Sequence, residues 1–188
     1  MLRRFASLLG LLWTAIPSVA RAQDSSLTTG LIYGPHHVFF VNAPPGWILD
    51  NSAGRADGLV AVFYRRGESW QKGAAVMYVN TVLPSGTDTA NVEVVAHDDS
   101  VHFAHDMADL TVVAAPPLRT SDGRTAIIRR FASTKHGSYE AVAYVMERRV
   151  TPIIVLTARS KRAFDAALNA FARLVESYGF LTDSVTVH

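Results

Sequence analysis

The stretch of this chain best equipped for chemistry runs from His97 to Asp106 (HDDSVHFAHD), with Asp109 just beyond it. On a helix Asp98, His102, His105 and Asp109 step by 4, 3 and 4 residues and so share one face. Imidazoles three residues apart can both reach one metal ion, and carboxylates can complete its shell. A transition metal such as zinc or copper suits that nitrogen and oxygen donor set. His36 and His37 add ligands only if the fold brings them near. The competing account is a solvated polar face on a helix whose other side packs on a sheet. The absence of cysteine and of a His-Glu-x-x-His signature favours that second account.

Hydrolytic chemistry needs a nucleophile, a base and an orienting group in mutual reach. Ser100 lies near His97 and His102 only because all three share a helix, and the chain has no Gly-x-Ser-x-Gly elbow. Asp98 and Asp99 point in different directions on a helix, which does not suit paired-carboxylate glycoside chemistry. No glycine loop of the phosphate-cradling kind is present.

A second set of residues suits binding. Trp70 sits in a polar hairpin, flanked by Arg65, Arg66 and Lys72, and offers an aromatic platform with a cationic rim to a protein or small-molecule ligand. The alternative has Trp70 folding back over the sheet edge while the charges keep the hairpin soluble. Trp47, beside the Pro44-Pro45-Gly46 turn, reads as a core anchor. Arg129 and Arg130 alternate across their strand, so one of them faces a helix layer or an edge, and a structural salt bridge accounts for it.

These residues depend on the elements that carry them. Apolar runs predict strands over 37–43, 59–64, 74–83, 110–115, 124–133, 139–148 and 151–158, the fourth stopped by Pro116-Pro117. Turns at Pro44–Trp47, Thr120–Gly123 and Lys135–Ser138 punctuate them. A helix is expected from Thr89 to Met107, capped by Asp88 or Thr89, with Val94, Val101, Ala104 and Ala108 as a thin apolar stripe. A second helix runs from Lys161 to Tyr178, with Ser160 as its cap and Gly179 at C′. Phe164, Leu168, Phe171, Val175 and Tyr178 form one apolar face of it. Short connections make neighbouring strands antiparallel. Strands apolar on both faces (VAVFY, YEAVAYVM, IIVLTA) require cover on both sides. The expected fold is α+β, a largely antiparallel sheet of about seven strands sandwiched by helices.

The first residues have the layout of a secretory signal: Arg3 and Arg4, an apolar run from Phe5 to Ile16, Pro17, and small residues at Ala20 and Ala22. That run is too short to span a membrane, which takes about 20 residues. The expected organisation is a cleaved signal over 1–22, a flexible leader over 23–35, a single domain over 36–182 and a tail over 183–188. Loss of Arg3, Arg4 and Arg21 leaves 15 basic against 16 acidic residues, a net charge of −1. A near-neutral domain lacks the field that binds a phosphate backbone, so nucleic acid is not expected as a partner. With no cysteine there is no disulfide framework, thiolate site or lipid-bearing N-terminal cysteine.

The order of elements resembles a known family. A strand is followed by Pro44-Pro45-Gly46-Trp47, two strands and a polar helix. Then come a Ser121-Asp122-Gly123 hairpin with its Ile127-Ile128-Arg129-Arg130-Phe131 strand, two more strands and a terminal amphipathic helix. Over residues 36–181 this is similar to the PsbP-like/DcrB-like domains. The resemblance implies an antiparallel sheet between helices, in exported bacterial proteins that are mostly accessory or binding proteins, with no universal active site to carry over. The expectation is an exported, soluble, non-catalytic accessory or binding protein, periplasmic or secreted, without stable membrane insertion. The alternative is a metal-binding protein centred on the histidine face. Mass spectrometry of the chain recovered from the exported fraction is expected to find Gln23 at its N-terminus; an intact Met1 contradicts the export reading.

Overall fold

Strands whose alternate residues are apolar on both sides cannot leave either side of their sheet in water, and this architecture answers that need. The structure, a computed structural model, describes residues 28–34, 36–83 and 91–184. The signal over 1–22, the start of the leader, Asp88, Thr89 and the last four residues of the tail lie outside the described residues. Among the described residues ten strands and two α-helices follow in the order β1 (Thr29–Gly34), β2 (His37–Asn42), β3 (Trp47–Asp50), β4 (Ala61–Arg65), β5 (Ala75–Val82), α1 (Val92–Asp106), β6 (Thr111–Arg119), β7 (Thr125–Ser133), β8 (Ser138–Val145), β9 (Thr151–Ala158), α2 (Lys161–Glu176) and β10 (Gly179–Thr182). A short 3₁₀ turn spans Arg55–Asp57.

The main sheet has seven strands in the order β3-β4-β5-β9-β8-β7-β6, every pair antiparallel. One face is covered by α2 and by a second sheet of β1, β2 and β10. From α2 come Phe164, Ala167, Phe171, Leu174 and Val175, at helical spacing; the small sheet adds Ile32, Phe39 and Val41. Both pack on Leu49, Phe63, Met77 and Leu156 of the large sheet. Ser160 Oγ accepts from Ala163 N–H at 3.2 Å and starts α2 where the sequence places it. The opposite face is covered by α1, through Val92 and Ala96 on Phe131, Val142, Tyr144 and Val155. One helix on each face of an antiparallel seven-stranded sheet is the architecture expected above.

Several elements differ from expectation. The segment 29–34, read as part of a flexible leader, is a strand, because all six of its residues find antiparallel partners on β2. Trp47–Asp50 is a strand as well, paired with β4 beyond the turn that Gly46 makes at φ 81°. Pro116-Pro117 does not end β6. That strand lies at the sheet edge, where a missing N–H removes no ladder bond, and its register shifts between Ala115 and Leu118. Helix α1 starts later than expected, capped by Asn91, whose side-chain oxygen accepts from Glu93 N–H at 3.0 Å. Its apolar stripe is also another one: Val94 and Val101 are 52% and 56% exposed, while Val92, Ala96 and Phe103 face the sheet.

Gly179 is not a C′ glycine. The last helical turn closes at Ser177, and Gly179 opens β10 directly against Phe40 of β2. A Cβ at this position would enter the space of the Phe40 ring. Gly179→Ala is therefore expected to lower stability by about 1–3 kcal/mol, the usual cost of overpacking, in urea denaturation. Leu181→Ala, at an exposed position of the same strand, is expected to change it little; equal effects of the two contradict the packing argument.

Candidate functional site

Helix α1 covers only part of its face of the sheet. Side chains alternate along the strands, so Val76 and Tyr78 of β5 share that face with Val155 and Thr157 of β9 and with Glu140, Val142 and Tyr144 of β8. The helix packs on β8 and its core partners centre on Phe131, Val142, Tyr144 and Val155. The row Val76–Thr157 is left to one side, where the β4–β5 hairpin brings Trp70 over the sheet. Between them lies a groove of about 570 Å³ lined by Asp57, Trp70, Gln71, Tyr78, Ser138, Thr157 and Arg159, among others.

Trp70 is held in a fixed pose. Its indole Nε1–H donates to Asp57 Oδ2 at 2.8 Å, and its ring meets Tyr78 at 89° with centroids 6.2 Å apart. Gln71 reaches the Ala53 carbonyl, and Arg159 donates to the Gln71 carbonyl at 2.6 Å. Trp70 thus leans on the sheet as the second account foresaw, yet it stays half-exposed as one wall of the groove. The cationic rim is not the expected one. Arg65 projects to the opposite face of the sheet, where its guanidinium lies 5.5 Å from the Trp47 ring and donates to the Ala166 carbonyl of α2. Register explains this, since Arg65 pairs with Trp47, whose side chain enters the main core. Arg66 and Lys72 are exposed in the hairpin but do not line the groove. Arg159, in the β9–α2 connection, is the cation that does.

The floor between groove and helix is acidic. Asp99 of α1 accepts from the Tyr144 hydroxyl at 2.9 Å, and burial raises its carboxyl above the ordinary value. Burial likewise raises Glu140, opposed by a hydrogen bond from Thr157 and assisted by the charge of Asp99. Burial, then the charges of Glu140 and Asp99, push the Tyr78 hydroxyl up to about 12.

The histidine face is a different place. Asp98, His102 and His105 lie on the exposed surface of α1, where Asp106 stands 3.8 Å from His102 and 3.1 Å from His105. Asp109 does not share it, because α1 ends at Asp106. Its carboxylate instead accepts from Ser133 Oγ at 2.6 Å and from Lys135 N–H at 3.0 Å, with His136 Nδ1 at 3.3 Å. Among the described residues no three His, Asp or Glu side chains converge on a point that would hold a metal ion. Ser133, His136 and Asp109 have the residue types of a hydrolytic triad but not its geometry. Ser133 is fully buried and gives its proton to Asp109, and a single histidine nitrogen faces both partners. The cluster ties the β7–β8 turn to the segment after α1.

Comparison with solved structures adds the fold's relation. The solution structure of cyanobacterial PsbP (CyanoP) from Synechocystis sp. PCC 6803 matches with a TM-score of 0.52 at 13% identity, over 87% of this chain and 99% of that one. The fold is PsbP-like. No family profile and no curated protein sequence matches the chain. Among the described residues of this PsbP-like domain, no helix is long and apolar enough to cross a membrane. The groove residues Asp57, Tyr78, Thr157 and Arg159 escape sequence reasoning because two strands and two connections far apart in the chain bring them together. Glu140 does leave a signal, being an acid inside the apolar run Tyr139–Val145.

The Asp109 cluster has a pH signature. Hydrogen bonds from Ser133 and Lys135, with a smaller one from His136, hold its carboxyl down from the ordinary 3.8 to about 2, against some desolvation. A carboxyl lowered by folding stabilises fully above its unfolded value, and that contribution fades as pH falls through the folded one. Asp109→Asn is expected to lower the urea midpoint at neutral pH, with the deficit shrinking between about pH 4 and pH 2. A deficit that does not vary with pH contradicts this.

Proposed function

We propose that this chain is an exported accessory protein that binds a small ligand without turning it over, and that the groove beside Trp70 holds that ligand. The carrying observation is the fixed indole. A half-exposed tryptophan, hydrogen-bonded through its nitrogen and set upright against a tyrosine, forms one wall of a cleft of ligand size. Mixed apolar and hydroxyl lining suits holding a molecule in one orientation. It suits turnover poorly. Ser138, the serine that lines the groove, has no hydrogen-bonded base among the described residues. Export is supported by the N-terminal arginines, the apolar run and the small residues before Gln23. The PsbP-like fold is compatible with an accessory role.

Native mass spectrometry of the chain recovered from the exported fraction tests the proposal. An organic adduct is expected on the wild-type protein and is expected to be lost from Trp70→Ala, whose affinity should fall at least about tenfold, as for a truncated aromatic anchor. A circular dichroism melt controls for folding. An adduct that survives Trp70→Ala, or a bare wild-type chain, contradicts it.

A further inference from the structure

Two charged side chains line the groove, Asp57 and Arg159, and they differ in the bonds they have left to offer. The Asp57 carboxylate is engaged by the indole Nε1–H of Trp70 at 2.8 Å. Arg159 gives one guanidinium N–H to the Gln71 carbonyl at 2.6 Å, and its remaining N–H groups make no hydrogen bond or ion pair among the described residues. Ser138 stands beside it. The ladder between β8 and β9 ends at Tyr139 and Ala158, so Ser138 and Arg159 are the next two positions across from one another, and both line the groove. A guanidinium and a hydroxyl with donors to spare therefore meet at the end of that ladder. Glu140 and Asp99 lie toward α1, outside the lining, and burial raises both carboxyls, which favours their neutral forms.

The aromatic part of the lining is a corner. The Trp70 and Tyr78 rings stand at 89° with centroids 6.2 Å apart, so a planar ring seated there stacks on one and meets the other edge-on, arrangements worth more than burial alone. Tyr78 is on β5 and Ser138 on β8, with β9 between them; two strand spacings, about 9.6 Å, separate the two strands. That span holds one aryl group and one acidic group. A cation is opposed by the Arg159 guanidinium, and a neutral apolar molecule gains nothing from Arg159 or Ser138. A carboxylate accepts from both, and its shape matches the guanidinium fork. We infer that the groove takes an aromatic carboxylate, its ring in the corner of Trp70 and Tyr78 and its carboxylate accepting from Arg159 and Ser138. The inference rests on the reading of this groove as the binding site and names the chemistry of its ligand.

The test compares two probes of one shape on the full chain at neutral pH, 2-naphthoate and its neutral isostere 2-naphthamide, by the shift of the Trp70 indole N–H resonance. Naphthoate is expected to move that resonance saturably, and naphthamide to bind at least about tenfold more weakly, as for loss of a hydrogen bond to a charged group. The saturated analogue decahydro-2-naphthoate is expected to bind about threefold or more below naphthoate, the range of an aromatic pair. Arg159→Gln is expected to abolish the preference for naphthoate over naphthamide, and Arg159→Lys, which keeps the charge, to retain part of it. The preference is a ratio of two affinities on one variant, so a loosened hairpin that weakens both probes leaves it readable. Equal binding of acid and amide to the wild-type chain, or a preference that survives Arg159→Gln, overturns the inference while the proposed function stands. Failure of both probes to move Trp70 also overturns it, and the native mass measurement then judges the groove separately.

Discussion

A sheet apolar on both faces is the constraint from which the rest of this molecule follows. The centre of the main sheet, strands β5, β9 and β8, presents Met77, Leu156 and Ala141 to one side and Tyr78, Val155 and Val142 to the other. Neither side can stay wet, because burying such side chains is worth roughly 1.5–3 kcal/mol each. One side is closed by a strong amphipathic helix together with a second sheet. The other has only α1, whose polar outer face and few buried residues cover β8 and its neighbours but not the row of Val76 and Thr157. The gap is finished by Trp70 and by the 51–58 segment, where Gly54 packs on Val62. The groove is thus the seam between two partial covers.

The closed side depends on a polar knot. After α2 the chain turns back to pair β10 with β2, and Tyr178 marks that return as a fully buried ring against Phe39. Its hydroxyl donates to Glu147 at 2.7 Å, and Glu147 accepts from Arg124 Nε at 2.6 Å. Arg124 also bonds Asp122 and lies 4.5 Å from the Phe180 ring. Burial raises the Glu147 carboxyl, while the Tyr178 and Arg124 contacts act the other way. A buried ion pair contributes little net stability but makes its geometry hard to abandon. Here it fixes the Thr120–Gly123 hairpin, the end of α2 and β10 in one arrangement.

Elements whose signal is local were legible in the sequence. Helix α2 follows from a cap and a clean 4-3-4-3 apolar spacing, and β9 from a β-branched run. The Gly46 and Gly123 turns were legible because a positive φ calls for glycine. Elements that exist through distant partners were not. Thr29–Gly34 has strand geometry because β2 lies alongside it. The packed face of α1 was concealed because it includes Asp99, which the structure satisfies with Tyr144, 45 residues away. Spacing alone puts Asp109 on the helix face, whereas Ser133, 24 residues on, holds it elsewhere. Of the residues that the sequence groups at the candidate site, Trp70 lines the groove, whereas strand alternation sends Arg65 through to the far side. The Arg129 salt bridge, to Glu93 on α1 at 3.0 Å, was correctly foreseen.

The central claim is that the seam left by α1 is where this protein meets its ligand. It is tested most directly by recording ¹H–¹⁵N spectra of the labelled chain before and after adding the small-molecule fraction of the exported compartment. The account predicts shifts that cluster on Trp70, Tyr78, Ser138, Thr157 and Arg159 and leave the exposed face of α1 unmoved. Shifts confined to His102, His105 and their neighbours, or to the outer strands of the small sheet, contradict it.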